Sequence, residues 1–283
     1  MLVFEKKNAL TNCISSFKDE NMQIGFVPTM GALHKGHISL VKKSQEENQK
    51  TVVSIFVNPT QFNNAEDLEK YPKTIAKDLE LLEKNGCDIV FIPTVEEMYS
   101  NDVNSKTYQF HGIEKQMEGK YREGHFDGVA TIVQAFFETV NPDKAYFGEK
   151  DFQQLQIIKK LVEIENLPVD VIGCPILREN DGLAMSSRNV RLTEEERKIA
   201  PLIFNTLKKV ITLSKTKSLQ EVYRFVQDEF NSEPRFDLEY FIIANENSLE
   251  EVSSINFQEK QRAFIAVNVS KVRLIDNLSL SEF

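Results

Sequence analysis

An α/β fold, with a doubly wound, Rossmann-like parallel sheet followed by a smaller α+β C-terminal domain, is predicted by three features of the 283-residue chain. Short apolar runs alternate with segments of helical periodicity as far as Pro175. One of those runs, Thr51 to Val57, is almost continuously apolar and β-branched, the pattern of a strand covered on both faces. Beyond Pro175 the order changes to helical patterns followed by strands, which reads as a separate α+β unit. Strand and helix in strict turn imply right-handed crossovers and a sheet with helices on both faces.

The elements follow in order. Leu2 to Lys18 has roughly helical spacing, and Gln23 to Pro28 is a short buried strand. A glycine-containing loop then leads into a helix starting near Gly36. After the strand at 51–57 come a helix over Asp67 to Lys84, a strand at Asp88 to Ile92 and a helix over Asp127 to Val140. A strand at Lys144 to Phe147, a helix over Phe152 to Ile164 and a strand at Val169 to Ile172 complete the alternation. Past this point Asp181-Gly182 marks a turn and Thr193-Glu194-Glu195-Glu196 reads as a capped helix start. Helical patterns run to about Phe230, and Phe236 to Ala244, Arg262 to Val269 and Val272 to Ile275 read as strands. A boundary after residue 176 is expected, giving domains 1–176 and 177–283.

Composition narrows the function. With 41% hydrophobic residues the chain can bury a sizeable core. A net charge of −9 and a pI near 5.2 argue against nucleic acid or an anionic membrane as partners, because both demand clustered Lys and Arg. Cys13, Cys87 and Cys174 lie far apart without metal-ligand spacing, so buried thiols in a reducing compartment are expected. No apolar run reaches the roughly 18 residues of a membrane span, and the N-terminus lacks a secretory pattern. A cytoplasmic protein is the expectation.

Four segments carry chemistry, three of them where a strand of an open parallel sheet ends and ligands collect, the fourth at the start of the second domain, and all four are expected to converge at one sheet edge. The first runs from Pro28 through Thr29, Met30, Gly31, Ala32, Leu33, His34, Lys35 and Gly36 to His37. A helix start there offers unpaired N–H groups to a polyphosphate, and Gly36 leaves room for its approach. His34 and His37, half of the chain's four histidines, can face one anion and donate to phosphoryl oxygens. No Cys or carboxylate with ligand spacing lies nearby, so a zinc site is disfavoured. The second segment ends a strand at Asn58-Pro59-Thr60-Gln61, where Asn58 and Gln61 are uncharged hydrogen-bonders suited to a small polar substrate. Asn58-Pro59 is also a simple strand terminator.

The third, Gly148-Glu149-Lys150-Asp151 followed by Gln153-Gln154, is again strand, turn and helix start. Lys150 is a compact cation for phosphate, and Asp151 is a helix cap or a ligand for a ribose hydroxyl or Mg²⁺. The fourth, Leu183-Ala184-Met185-Ser186-Ser187-Arg188, presents hydroxyl and guanidinium donors for phosphates. A further stretch, 119–126, reads as a mobile loop, with His125 either a donor in the site or a helix cap.

His34-x-Gly36-His37 resembles the signature of the nucleotidylyltransferase superfamily shared with class I aminoacyl-tRNA synthetases. The longer stretch from Val27 to His37 resembles the pantothenate synthetase family, and the other segments follow in that family's order over about 25–192. The fourth segment's position resembles the Lys-Met-Ser-Lys-Ser loop of class I synthetases. Glu123 stands where the family pattern has proline. The resemblance implies an ATP-dependent ligase that condenses pantoate with β-alanine to pantothenate through a pantoyl adenylate, releasing AMP and diphosphate. It implies ATP-binding residues Met30 to His37, Gly148 to Asp151, Leu177 and Met185 to Arg188. His34, His37 and Lys150 would act on the reaction; Gln61 would contact both pantoate and β-alanine, and Asn58 and Gln154 pantoate. Mg²⁺ with the nucleotide, no resident metal site, and a homodimer complete the expectation. Two other readings compete: a nucleotidyltransferase acting on a small phosphorylated acceptor, which would demand more Arg and Lys near Gln61, and a non-catalytic RNA-binding relative, which the acidic balance disfavours.

Overall fold

The structure, a computed structural model, describes residues 1–99 and 102–281. It divides into two compact units, one of residues 1–149 and 153–175, the other of residues 150–152 and 176–283. Lys150–Phe152 therefore groups with the second unit, although the expected boundary placed it in the first.

In the first unit the elements run β1 (Leu2–Phe4), α1 (Lys7–Asp19), β2 (Ile24–Thr29), α2 (Lys35–Glu47), β3 (Lys50–Ile55), α3 (Ala65–Glu69), α4 (Ile75–Lys84) and β4 (Ile89–Phe91). They continue with α5 (Val95–Tyr99), α6 (Met117–Tyr121), α7 (His125–Val140), β5 (Lys144–Gly148), α8 (Phe152–Ile164) and β6 (Asp170–Cys174). Among the described residues the six strands form one parallel sheet in the order β1-β4-β3-β2-β5-β6. From β2 the chain builds outward through β3 and β4, then returns to add β5 and β6 on the other side. The strand order thus reverses between β2 and β5, and the carboxyl ends of these two neighbours flank the crevice of a doubly wound sheet.

Period-two alternation sorts the core. Val27, Val53 and Val90 face α2 and α4 and pack with Ile38, Val41 and Leu82. Their sequence neighbours Phe26 and Phe91 point the other way, where Phe136 of α7 meets both edge to face, with ring centroids 5.7 and 6.2 Å apart. Each such buried side chain contributes about 1.5–3 kcal/mol, which is why near-continuous apolar strands were needed. The carboxyl end of α2 is tied to β5 by Glu47, whose carboxylate takes Lys144 at 3.2 Å and the Tyr146 hydroxyl at 2.9 Å.

Two expectations are corrected here. Leu2–Phe4 is not helical but an edge strand registered against Ile89–Phe91; three residues are too few to display a period, and the pairing supplies their conformation. The stretch 119–126 is not simply a loop, since α6 includes Gly119 and α7 begins at His125. A Cβ on Gly119 would lie 1.7 Å from the Glu114 carbonyl oxygen, so that turn closes only around glycine.

The second unit contains α9 (Glu194–Ile199), α10 (Leu202–Ser214), α11 (Leu219–Asn231) and an antiparallel sheet β7-β8-β9 (Phe236–Asn245, Gln261–Val269, Val272–Ser279). Ile203, Leu207 and Val210 of α10 and Val222, Val226 and Phe230 of α11 cover one face of the sheet at Ile243, Ile265 and Val267. Reciprocal caps start two of these helices, Thr193 with Glu196 and Ser218 with Glu221. Strand β9 continues beyond the expected Ile275 because its polar residues are buried against partners. Asp276 receives both Nη atoms of Arg178 at 2.6 and 3.0 Å, and Asn277 accepts from Arg262 at 2.7 Å. Asn277 also donates to the Lys150 carbonyl at 2.9 Å, and the Phe152 ring lies against Phe264 and the Arg262 guanidinium.

Candidate active site

The first segment leaves β2 at Thr29 and turns at once. Gly31 and Ala32 have φ of +85° and +49°, a left-handed bend that glycine accepts without strain. The bend is clasped by Asp78 of α4, whose buried carboxylate accepts from the backbone N–H groups of Ala32 at 3.0 Å and Leu33 at 2.8 Å. Charge-assisted bonds of this kind are about twice as strong as neutral ones. Helix α2 then starts with His34 as its cap residue rather than at Gly36.

The two histidines cap each other's backbone. Nδ1 of His34 accepts from the Gly36 N–H at 3.1 Å, and Nδ1 of His37 accepts from the His34 N–H at 3.3 Å. Their ring centroids are 4.1 Å apart. A neutral imidazole that accepts at Nδ1 carries its proton on Nε2. Both rings therefore present Nε2–H donors from the start of the same helix, where the dipole already favours an anion.

The second segment follows β3 into a single 3₁₀ turn, Pro59–Gln61. Its Gln61 Nε2 sits 3.1 Å from Sδ of Met30, so the first two segments meet. The Gln61 carbonyl takes a hydrogen bond from His125 at 2.8 Å and another from Arg122 at 3.2 Å. Because Arg122 only donates, its 3.2 Å contact with His125 Nε2 leaves the His125 proton on Nδ1, the atom facing the carbonyl. The cap of α7 is Gly124, with φ of +73°, and not His125. Asn58, expected to touch substrate, is 1% exposed, and protein partners surround both ends of its amide. Nδ2 donates to Gln61 Oε1 and the Gly128 carbonyl, while Oδ1 faces the hydroxyls of Tyr99 and Thr60. Gly128 permits this closeness, since a Cβ there would lie 2.4 Å from the Thr60 carbonyl oxygen.

Gly148 and Glu149 leave β5 beside the exit of β2, across the reversal in strand order. In the first turn of α8 the two glutamines differ. Gln153 is buried, bonded to the carbonyls of Ile113 and Gln116 and to the Glu118 N–H, and so is committed to holding α6. Gln154 is half-buried.

The remaining expected residues belong to the second unit. Lys150 forms a 3.7 Å ion pair with Asp151. Leu177 and Met185 face each other in a hairpin, the Met185 N–H donating to the Leu177 carbonyl at 3.0 Å, with the Asp181-Gly182 turn at its tip. Arg197 holds the Asp181 carboxyl below the usual carboxylate range. Ser186 caps the 3₁₀ turn Ser187–Arg191, its Oγ accepting from the Arg188 N–H at 3.2 Å. Among the described residues no cluster of three or more His, Cys, Asp or Glu side chains is arranged to hold a metal ion. No helix among them is long and apolar enough to cross a membrane. A cavity of about 550 Å³ is lined by Tyr108, His111, Lys115, Arg122 and Asp127 among others, and none of the four segments lines it.

The family model described as pantoate-beta-alanine ligase matches residues 2–279. The chain belongs to the pantoate–β-alanine ligase family. A pantothenate synthetase of Flavobacterium psychrophilum is 52% identical over 99% of this chain and all of its own, and one of Christiangramia forsetii is 49% identical with the same coverage. Among solved structures, the pantothenate synthetase of Thermus thermophilus superposes with a TM-score of 0.93 at 38% identity, each chain fully covered. The Francisella tularensis ligase complexed with β-γ ATP and β-alanine matches with a TM-score of 0.84 at 34% identity over 100% and 99% of the two chains. The protein is accordingly an ATP-dependent acid–amine ligase that joins pantoate to β-alanine.

Around the candidate segments, sequence reasoning gave no role to Asp78, Tyr99, Thr60, Arg122 and Gly128, which bond to them. Asp78 lies in the first turn of an amphipathic helix, where an aspartate ordinarily serves the dipole. Nothing in its local pattern shows that it reaches a loop 45 residues earlier in the chain.

Proposed function

We propose that Nε2–H of His34 and His37 donate to the phosphates of ATP as the pantoate carboxylate attacks the α-phosphorus. The backbone of Met30, Gly31, Ala32, Leu33, Lys35 and Gly36 lines the nucleotide, with Gly148, Glu149, Lys150, Asp151, Leu177, Met185, Ser186, Ser187 and Arg188. Gln61 contacts both pantoate and β-alanine, and Gln154 contacts pantoate. The observation that carries this reading is the pair of capping bonds at His34 and His37, which leaves the proton of both rings on Nε2 at one helix start.

In the first step a carboxylate oxygen bonds to the α-phosphorus and the bond to the bridging oxygen breaks, so diphosphate leaves with the electron pair. In the second, the neutral amine of β-alanine adds to the acyl carbon, AMP departs, and the amine loses a proton. No covalent enzyme intermediate is needed. Positioning the acid in line with phosphorus, and placing Lys150, Arg188 and the imidazoles where charge develops, supplies the acceleration. The ATP substrate enters as its Mg²⁺ complex, the ion offsetting charge on the phosphates. The enzyme is proposed to act in the cytoplasm as a homodimer.

Incubation with Mg²⁺, ATP and pantoate should yield enzyme-bound pantoyl adenylate and diphosphate, detected by mass, and addition of β-alanine should convert the adenylate to pantothenate and AMP. An ADP product would refute adenylate chemistry. The clasp on residues 32–33 gives a further expected result. Asp78→Asn retains size but sets an amide N–H against a backbone N–H. Loss of one charge-assisted bond, about 1.5–3 kcal/mol, should raise the KM for ATP by about tenfold or more. Titration of initial rates against ATP checks it, and an unchanged KM would show that the clasp is dispensable.

A further inference from the structure

Asn58 is buried, and the atoms around it fix which way its amide points. The Gly128 carbonyl oxygen, 3.1 Å away, has no proton to give, so the atom facing it is the donor Nδ2. Oδ1 then necessarily faces the Tyr99 and Thr60 hydroxyls, which also lie 2.8 Å from each other. Burial raises the Tyr99 pKa above its ordinary value, so the phenol keeps its proton and the pair always has an O–H for Oδ1. The other Nδ2 proton goes to Gln61 Oε1 at 3.0 Å. This uses the acceptor end of the Gln61 amide and leaves Nε2 at the other end, against the thioether of Met30. A thioether is a weak acceptor, readily displaced by a substrate oxygen. The Gln61 backbone cannot swing to alter this, because its carbonyl is held by both His125 and Arg122.

We propose that Tyr99 and Thr60 are positioning residues which, through Asn58, lock Gln61 so that it meets the substrate acid with N–H donors rather than with its carbonyl. The inference rests on the reading that Gln61 contacts substrate, and it adds a sign to that contact. Gln61 selects an oxygen with a lone pair, a carboxylate or hydroxyl oxygen, and disfavours a group that can only donate. Tyr99 touches no substrate in this scheme; its hydroxyl acts two side chains away.

The test compares Tyr99→Phe, the double variant Tyr99→Phe with Thr60→Val, Gln61→Ala and Gln61→Glu in the full-length enzyme. KM for pantoate, β-alanine and ATP is measured alongside kcat and Tm. Tyr99→Phe leaves Thr60 as a remaining donor, so the KM for pantoate should rise about fivefold, the worth of one neutral hydrogen bond. The double variant removes both hydroxyls from nearly unchanged shapes and should raise it several-fold further. In both, the KM for ATP should stay within twofold, a split that general loosening of the fold would not produce. Gln61→Glu, with an anionic oxygen where the donor stood, should bind pantoate less well than Gln61→Ala. If Gln61→Ala leaves the pantoate and β-alanine constants unchanged, the substrate contact itself is wrong. If Gln61→Ala weakens pantoate but the double variant does not, or if Gln61→Glu binds pantoate as well as wild type, the locking scheme alone is overturned. A double variant whose three KM values rise together would likewise reduce Tyr99 and Thr60 to structural support and overturn it.

Discussion

Replacing His37 with alanine is expected to slow adenylate formation by about 10²–10³-fold, the usual result of deleting one aligned donor to a developing anion. The cost to the fold should be small by comparison. His37 contributes one rather long capping bond, 3.3 Å, to the His34 N–H. Loss of a cap costs about 1 kcal/mol, and the Ile38 N–H still bonds to the His34 carbonyl at 3.1 Å. A drop of a few degrees in Tm is the most that should accompany the kinetic defect. Glutamine at the same position retains an N–H and should recover part of the rate, because in the proposed mechanism it is the donor, not the ring, that acts on the leaving diphosphate. Single-turnover measurement of diphosphate release, with pantoate and ATP saturating and β-alanine absent, isolates the step. Near-wild-type release from the alanine variant would remove His37 from the reaction.

Lys150→Ala should also cost about two orders of magnitude in the same step, through loss of a fixed positive charge beside the phosphates. Here stability should scarcely change. The ammonium's ion pair with the half-exposed Asp151 is 3.7 Å long, a geometry that contributes well under 1 kcal/mol. The bond that Asn277 makes to this residue goes to its backbone carbonyl, which alanine keeps. Arginine restores charge but replaces a compact ammonium by a wide planar fork, so only partial recovery is expected. A lysine variant that lost Tm and rate together would point to a structural role instead.

The candidate segments that sequence reasoning placed at strand ends are those with a local signature. Pro28 to His37, Asn58 to Gln61 and Gly148 to Asp151 each follow an apolar run and precede a helical one, so their place at the ends of β2, β3 and β5 could be read from periodicity alone. What escaped was long-range. Asp78 looks like any acidic residue in a first helical turn until its carboxylate is seen on the backbone of residues 32 and 33. Asp276 and Asn277 looked like the end of a strand because polar pairs usually mark turns, yet Arg178 and Arg262 satisfy them in the interior. Leu2–Phe4 carried no period to detect. The surroundings of Asn58 were equally hidden, since only the approach of Gly128 and Tyr99 reveals that both ends of its amide have protein partners.

The grip of Asn277 on the Lys150 carbonyl ties the segment between β5 and α8 to β9, which is synthesised more than a hundred residues later. A ribosome-bound or prematurely terminated chain ending before residue 277 would already contain the entire parallel sheet, both imidazoles and the glutamines. Its Lys150 segment, held by β5 and α8 on either side, would nevertheless lack the bond from Asn277. With Lys150 in its proposed role, unfinished copies of the enzyme should consume ATP more slowly than the finished chain, however well their first unit has folded.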